Sequence, residues 1–184
     1  MIKAFKDEIH REFLPALMVA FGLLKPEDVD GVCESGDSIK KGNCMYAVSA
    51  AKGDGAAVER LRGKLIDDFR DPLTKKSSLF KGLGVNVDKL FDEFMELVVG
   101  LDGKSLVQLL APGFSTAQLA LMLYALINGD EKLAKAHALY GAVTSSVKLL
   151  PRLYLDVYRA CGKGCDLGNE DLRQAITKLF LYHF

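Results

Sequence analysis

Residues 87–101 read VDKLFDEFMELVVGL, and this stretch decides the fold class. Its large apolar residues are Leu90, Phe91, Phe94, Leu97, Val98 and Leu101. They recur every three or four positions, and the acidic side chains Asp88, Asp92, Glu93 and Glu96 are predicted to point outward. This spacing puts the apolar side chains on one stripe of an α-helix and does not fit the two-residue alternation of a strand.

Towards the N-terminus, Val58, Leu61, Leu65 and Phe69 form a similar stripe and predict a helix over about 55–70. Asp54 is placed to cap the start of that helix. The Asp71-Pro72 pair predicts its end, because proline disfavours helical backbone at the preceding residue. The polar, glycine-bearing segment that follows, as far as Gly84, then becomes the longest irregular stretch. At the start of the chain, residues 2–13 carry one more helical stripe.

Towards the C-terminus, Ser105 is placed to cap a short helix that ends at Ala111. The capping-box spacing of Ser115 and Gln118 predicts a helix from Thr116 to the Asn128-Gly129 pair. Three more helix starts follow, and the residues that mark them are Asp130, Pro151 and Asn169. The first of these helices runs to about residue 150.

Strict alternation long enough for a strand occurs nowhere in the 184 residues. We therefore predict an all-α fold, an irregular orthogonal bundle of about eight or nine helices. No linker composition interrupts the chain, so residues 1–184 are predicted to form a single compact domain.

The amino-acid composition argues against a disordered protein and against a membrane protein. Apolar residues make up 49% and charged residues 26%, which is typical of a globular chain and not of a disordered one. The longest apolar run, Ala16–Leu24, is far below the roughly 20 residues of a membrane span. Charges among the first eight residues leave no apolar core for a signal peptide. These features predict a cytoplasmic protein.

One motif suggests phosphate binding but is incomplete. Gly103-Lys104-Ser105 ends like a P-loop, yet the glycine required five residues before Gly103 is replaced by Val98. A P-loop also follows a strand, whereas residues 87–101 predict a helix. We expect Lys104 to bind no nucleotide.

Four cysteines are the strongest chemical signal: Cys33, Cys44, Cys161 and Cys165. Free buried thiols, local disulfides and a metal site with all four as ligands remain open. The three-residue spacer between the second pair suits half a zinc site, but the ten-residue spacer between the first pair does not. Local pairing would join Cys33 to Cys44 and Cys161 to Cys165. Cytosolic disulfides are rare outside hyperthermophiles, and a total of only 7 Asn and Gln residues points weakly in the thermophilic direction.

Lys and Arg total 24, as do Asp and Glu, so net charge does not support a nucleic-acid partner. Basic residues nevertheless cluster modestly along the chain, and they would contact phosphates if the fold brought them together. These candidates are Lys40, Lys41, Arg60, Arg62, Lys64, Lys75, Lys76 and Lys81.

No catalytic constellation is present, and no cofactor is implied. His137 lies on an apolar helical stripe, which predicts a buried histidine bonded to a neighbour. The leading hypothesis is a non-enzymatic helical protein that acts through protein–protein assembly, with a partner protein or with further copies of itself. One alternative is a small helical subunit of a nucleoprotein assembly, of the CRISPR effector or virion type. Another is a helical protein that binds a small apolar ligand beside Met122, Tyr140 and Tyr154.

Overall fold

The computed structural model describes residues 11–25, 27, 33, 38–111, 116–145 and 149–183. Within these ranges the chain is all-α, as predicted, and contains no strand. A 3₁₀ turn at Arg11–Phe13 precedes the helices. These are α1 Leu14–Ala20, α2 Ser38–Lys52, α3 Gly55–Lys75, α4 Ser77–Gly82, α5 Val87–Val99, α6 Gly103–Leu110, α7 Thr116–Ile127, α8 Glu131–Thr144, α9 Leu150–Cys161 and α10 Glu170–His183.

Contacts divide the chain into two compact units. The first unit is Met1–Leu65 with Leu101–Gly113, and the second unit is Ile66–Gly100 with Phe114–Phe184. The boundary falls inside α3, between Leu65 and Ile66. The single domain expected from the sequence stays a prediction.

In the first unit, α2 packs against α1, α6 and the 3₁₀ turn. The approach between α2 and α6 is close, because a Cβ atom on Gly103 would overlap the backbone carbonyl of Ala50. Gly103 is therefore required by packing rather than by phosphate binding. On the outside of this unit, the Arg60 guanidinium lies 4.3 Å from the centroid of the Tyr46 ring.

The second unit is built around α8, which packs against α5, α7 and α9, and α9 in turn packs against α10. Nearly every residue of α8 from Leu133 to Val143 is buried. Its Tyr140 ring stacks on Phe94 with centroids 6.1 Å apart, and Phe94 stacks on Phe69 at 3.9 Å. A Cβ on Gly141 would lie 2.8 Å from the Tyr154 ring, so this glycine lets α9 approach closely.

The predicted end of the helix at Asp71-Pro72 is wrong. Helix α3 continues through Pro72 to Lys75, and α4 follows after one residue, so the predicted irregular stretch is largely helical. The Lys76 amide donates to the Pro72 carbonyl at 2.9 Å, which keeps the helical bonding intact beyond the proline. Leu73 and Phe80 are buried. Burying each stabilises the fold by about 1.5–3 kcal/mol, which offsets the cost of about 3 kcal/mol for a proline inside a helix.

Other boundaries differ in smaller ways. Asp102, not Ser105, caps α6, because its carboxylate accepts from the Ser105 amide at 2.9 Å. Helix α8 ends at Thr144, about six residues before the predicted end. The caps expected at Asp54, Asp130 and Asn169 are confirmed, with amide-to-oxygen distances of 2.9, 3.2 and 3.3 Å. Residues 2–10 and Ser115 lie outside the described residues.

Candidate interaction surface

Helix α7 has an apolar outer face. The sequence of Thr116–Ile127 is TAQLALMLYALI, without one charged residue. Ala120, Tyr124 and Ile127 are exposed, the last two to 47% and 70%. Their spacing of four and three residues aligns them along one side of the helix. We call these three residues the α7 stripe.

The inner face of α7 is already occupied. Met122, Ala125 and Leu126 are buried, and α7 packs against α8. A surface helix normally turns charged and polar residues outward, whereas a helix that is apolar all round is normally covered on all sides. The fold of this chain therefore covers the inner face of α7 and leaves the α7 stripe exposed to solvent.

The last helix shows a shorter version of the same feature. From its start as far as Lys178, the exposed residues of α10 are polar or charged, for example Arg173 and Lys178. Near its end, Phe180, Leu181 and Tyr182 are exposed, although Leu179 on the opposite side is buried. Apolar exposure therefore recurs in the second unit at a helix end.

A buried polar pair joins α7 to α8. His137 Nδ1 hydrogen-bonds Gln118 Oε1, and both side chains are fully buried. Because the amide oxygen can only accept, Nδ1 carries the ring proton. Neither His137 Nε2 nor Gln118 Nε2 has a hydrogen-bond partner in the described part of the chain. Burial lowers the pKa of His137 to about 3, since a charged ring would lie in apolar surroundings.

The contact between His137 and Gln118 settles one prediction. The buried histidine bonded to a neighbour is confirmed. A buried imidazole nitrogen needs such a partner, because an unpaired polar group in apolar surroundings costs free energy. The predicted capping box of Ser115 and Gln118 lies outside the described residues, since Ser115 is not among them.

Several of the predicted phosphate-binding residues contact the protein itself, among them Arg60, Arg62 and Lys76. Arg60 lies over Tyr46, and Arg62 pairs with Glu59 and donates to the Leu101 carbonyl at 3.1 Å. Lys76 donates to the carbonyls of Val143 and Ser145 at 3.2 and 2.6 Å, and burial lowers its pKa.

The other candidates divide between the two units. Lys40, Lys41 and Lys64 belong to the first unit, whereas Lys75 and Lys81 belong to the second. All of these are exposed except Lys64, which is half-buried. Nucleic-acid binding stays a prediction.

The residues proposed to line a ligand pocket are core residues. Met122, Tyr140 and Tyr154 are all buried. Tyr140 stacks on Phe94, and the Tyr154 ring lies against Gly141. Binding of an apolar ligand stays a prediction.

The cysteines form two local disulfides, Cys33–Cys44 and Cys161–Cys165, with Cα atoms 5.5 and 4.1 Å apart. The local pairing considered from the sequence is thus the one observed. Metal binding by cysteine requires thiolates, and neither sulfur of a disulfide is a thiolate. Within the described residues, no group of three or more metal-ligating side chains converges.

Sequence reasoning missed the α7 stripe, although its signal was present. Twelve consecutive residues without a charge are unusual for a helix at the surface. The charge pattern alone could therefore have indicated that one face of this helix is an interaction surface. The sequence could not show which side of α7 would face α8.

No family model matches the chain, and no curated protein or solved structure is significantly similar to it. Within the described ranges, no helix is both long enough and apolar enough to cross a membrane.

Proposed function

We propose that this chain is a non-enzymatic helical subunit that assembles with further copies of itself through the α7 stripe. The observation that carries the proposal is a charge-free helix whose inner side is packed and whose outer side exposes Ala120, Tyr124 and Ile127. Exposed apolar residues at helical spacing are what a second helix packs against.

Charge favours a second copy as the occupant. In a two-fold contact, the same patch meets itself, so any charge on it would face a like charge. The α7 stripe has no charge. The whole chain carries 24 basic and 24 acidic side chains, so two copies do not repel each other strongly at neutral pH.

The test is sedimentation equilibrium of the full chain at neutral pH, from about 1 to 100 µM. The wild type is expected to associate in this range. Ile127→Glu is expected to weaken association at least tenfold, or about 1.4 kcal/mol, because it buries a charge in the contact. Val99→Glu is the matched control, since Val99 is an apolar residue exposed to 63% at the end of α5, outside the stripe.

Circular dichroism of each variant confirms that the helices are intact. A wild type that is monomeric at 100 µM contradicts the proposal. Equal weakening by Ile127→Glu and Val99→Glu also contradicts it, because a general loss of surface apolarity would then be the cause.

We keep the predicted cytoplasmic location as part of the proposal. The two disulfides of the chain fit that location if the protein comes from a hyperthermophile. In any other organism, they fit an oxidising compartment instead. A melting temperature above about 90 °C supports the first setting, and one in the mesophilic range of about 45–65 °C supports the second.

A further inference from the structure

The two disulfides differ in exposure. Cys33 and Cys44 are both buried. Cys161, the last residue of α9, is also buried, but its partner Cys165 lies in the following loop and is half-exposed. A dithiol in solution must reach a sulfur atom to open a disulfide, and exposed disulfides are typically the labile ones. The second disulfide is therefore the one placed for exchange.

The loop that carries Cys165 is also held together by hydrogen bonds. The side-chain nitrogen Nδ2 of Asn169 donates to the carbonyl of Ala160 at 2.9 Å and to that of Gly164 at 2.8 Å. Ala160 directly precedes Cys161, and Gly164 directly precedes Cys165. One amide thus bridges the backbone on both sides of the disulfide, and we call this arrangement the Asn169 clamp.

The clamp does not depend on the sulfur–sulfur bond. The backbone amide of Gly164 adds a further bond to the Cys161 carbonyl at 3.2 Å, and Asn169 Oδ1 anchors the clamp to α10 by accepting from the Leu172 amide. Since none of these bonds involves a sulfur atom, we expect them to keep the two thiols close together after reduction. A preformed pair has a high effective concentration, which favours re-formation of its own disulfide over disulfides with other thiols.

From these observations we propose that Cys161 and Cys165 form a reversible dithiol–disulfide site that exchanges with dithiols, and that Asn169 is its positioning residue. This proposal is independent of assembly through the α7 stripe. Cys33–Cys44, buried at both ends, is a structural disulfide.

The exchange proceeds in two steps. A thiolate of the dithiol attacks Sγ of Cys165, forming a mixed disulfide, and Cys161 leaves as a thiolate that takes a proton from water. The second thiol of the reductant then loses its proton and attacks its own sulfur in the mixed disulfide, which releases Cys165 as a thiolate that is protonated in turn. The dithiol is oxidised to a cyclic disulfide, and the protein disulfide is reduced by two electrons and two protons.

The test follows each disulfide of the folded full chain in dithiothreitol, by rapid alkylation and mass spectrometry. Cys161–Cys165 is expected to open at least tenfold faster than Cys33–Cys44. When the reductant is then replaced by oxidised dithiothreitol, which accepts the two electrons, the same pair is expected to re-form without disulfides to Cys33 or Cys44. Opening of both disulfides at one rate, or of Cys33–Cys44 first, would overturn the proposal.

Asn169→Ser tests the clamp. Serine keeps an oxygen that can cap α10 but removes the amide that bridges Ala160 and Gly164. In mixtures of reduced and oxidised dithiothreitol, this variant is expected to shift the equilibrium of Cys161–Cys165 several-fold towards the dithiol.

Asn86→Ser is the matched control. Asn86 caps α5, where it accepts from the Lys89 amide at 3.1 Å, and it is distant in sequence from both cysteines of the site. The control is expected to leave the equilibrium unchanged. An unchanged equilibrium in Asn169→Ser, or an equal shift in Asn86→Ser, would refute the positioning role.

Discussion

Helices α7 and α9 are both twelve residues long and both pack on α8, yet their outer faces differ. The exposed residues of α9 are Arg152 and Arg159, and its buried stripe includes Tyr154, Val157 and Cys161. Helix α9 is thus a regular amphipathic helix. Helix α7 has no charged residue on any side, and its exposed positions include Tyr124 and Ile127.

The two helices therefore differ in what their exposed faces offer. Packing against α8 and α10 accounts for the apolar residues of α9, and its two exposed residues are arginines, of which Arg159 donates to the Leu83 carbonyl at 3.2 Å. Packing against α8 buries one side of α7 and leaves an apolar side exposed. That exposed side is the surface through which association is proposed.

The two contacts with α8 also differ in polarity. Helix α9 meets α8 where the Tyr154 ring lies against Gly141, whereas α7 meets it through the buried Gln118–His137 pair. The contact between α9 and α8 depends on the close fit of the Tyr154 ring, whereas the contact between α7 and α8 depends on His137 staying uncharged. Truncation of Tyr154 therefore tests the first contact, and a change of pH tests the second.

The largest effect is expected from Tyr154→Ala on the inner face of α9. Removing this buried ring leaves a cavity beside Gly141, and comparable aromatic truncations cost about 3–5 kcal/mol of unfolding free energy. Urea denaturation followed by circular dichroism measures the loss. A change below about 1 kcal/mol would mean that the ring is not part of the core, and the comparison of the two helices would fail.

A smaller effect is expected from acid, and it tests the α7 contact. The pKa of His137 is lowered from 6.5 to about 3 in the folded chain, so below pH 6.5 the unfolded chain binds a proton that the folded chain does not. Stability is therefore complete above about pH 6.5 and is lost as the pH falls towards 3. At pH 5.5 the expected loss is about 1.4 kcal/mol.

His137→Gln is the control for this pH dependence, because glutamine does not titrate. Its unfolding free energy is expected to lose this 1.4 kcal/mol dependence between pH 7.5 and 5.5, whatever its absolute stability. Equal acid sensitivity in both proteins would assign the effect to other groups.

Local signals predicted much of this fold correctly. Asp54, Asp130 and Asn169 were identified as caps because the capping oxygen and the amide it accepts from are only three residues apart. The pairing Cys161–Cys165 was within reach of the sequence for the same reason, since a short loop brings both residues together. Features decided within one turn of chain can be found without tertiary structure.

Features decided by distant contacts could not be found in this way. Pro72 was expected to end α3, but the burial of Leu73 and Phe80 in the second unit carries the helical structure past it. The contact of Gln118 with His137, nineteen residues away, could not be found either, because only the packing of α7 on α8 brings the two side chains together. The second role of Asn169 is equally hidden, since its contacts with Ala160 and Gly164 depend on how the loop folds.

The smallest effect on stability is expected at the outer faces, and it sharpens the comparison most. Ile127→Ser on α7 and Arg152→Ser on α9 should each change the unfolding free energy by no more than about 0.5 kcal/mol, because both side chains are exposed. The measurement is made at a concentration low enough for the protein to be monomeric. Two variants of equal stability should then differ in sedimentation at high concentration, where only Ile127→Ser is expected to weaken association.

A loss above about 1 kcal/mol for Ile127→Ser in the monomer would show that this residue packs within its own chain. The apolar outer face of α7 would then be a requirement of the fold, as the inner face of α9 is, and the case for a second copy on that surface would fall.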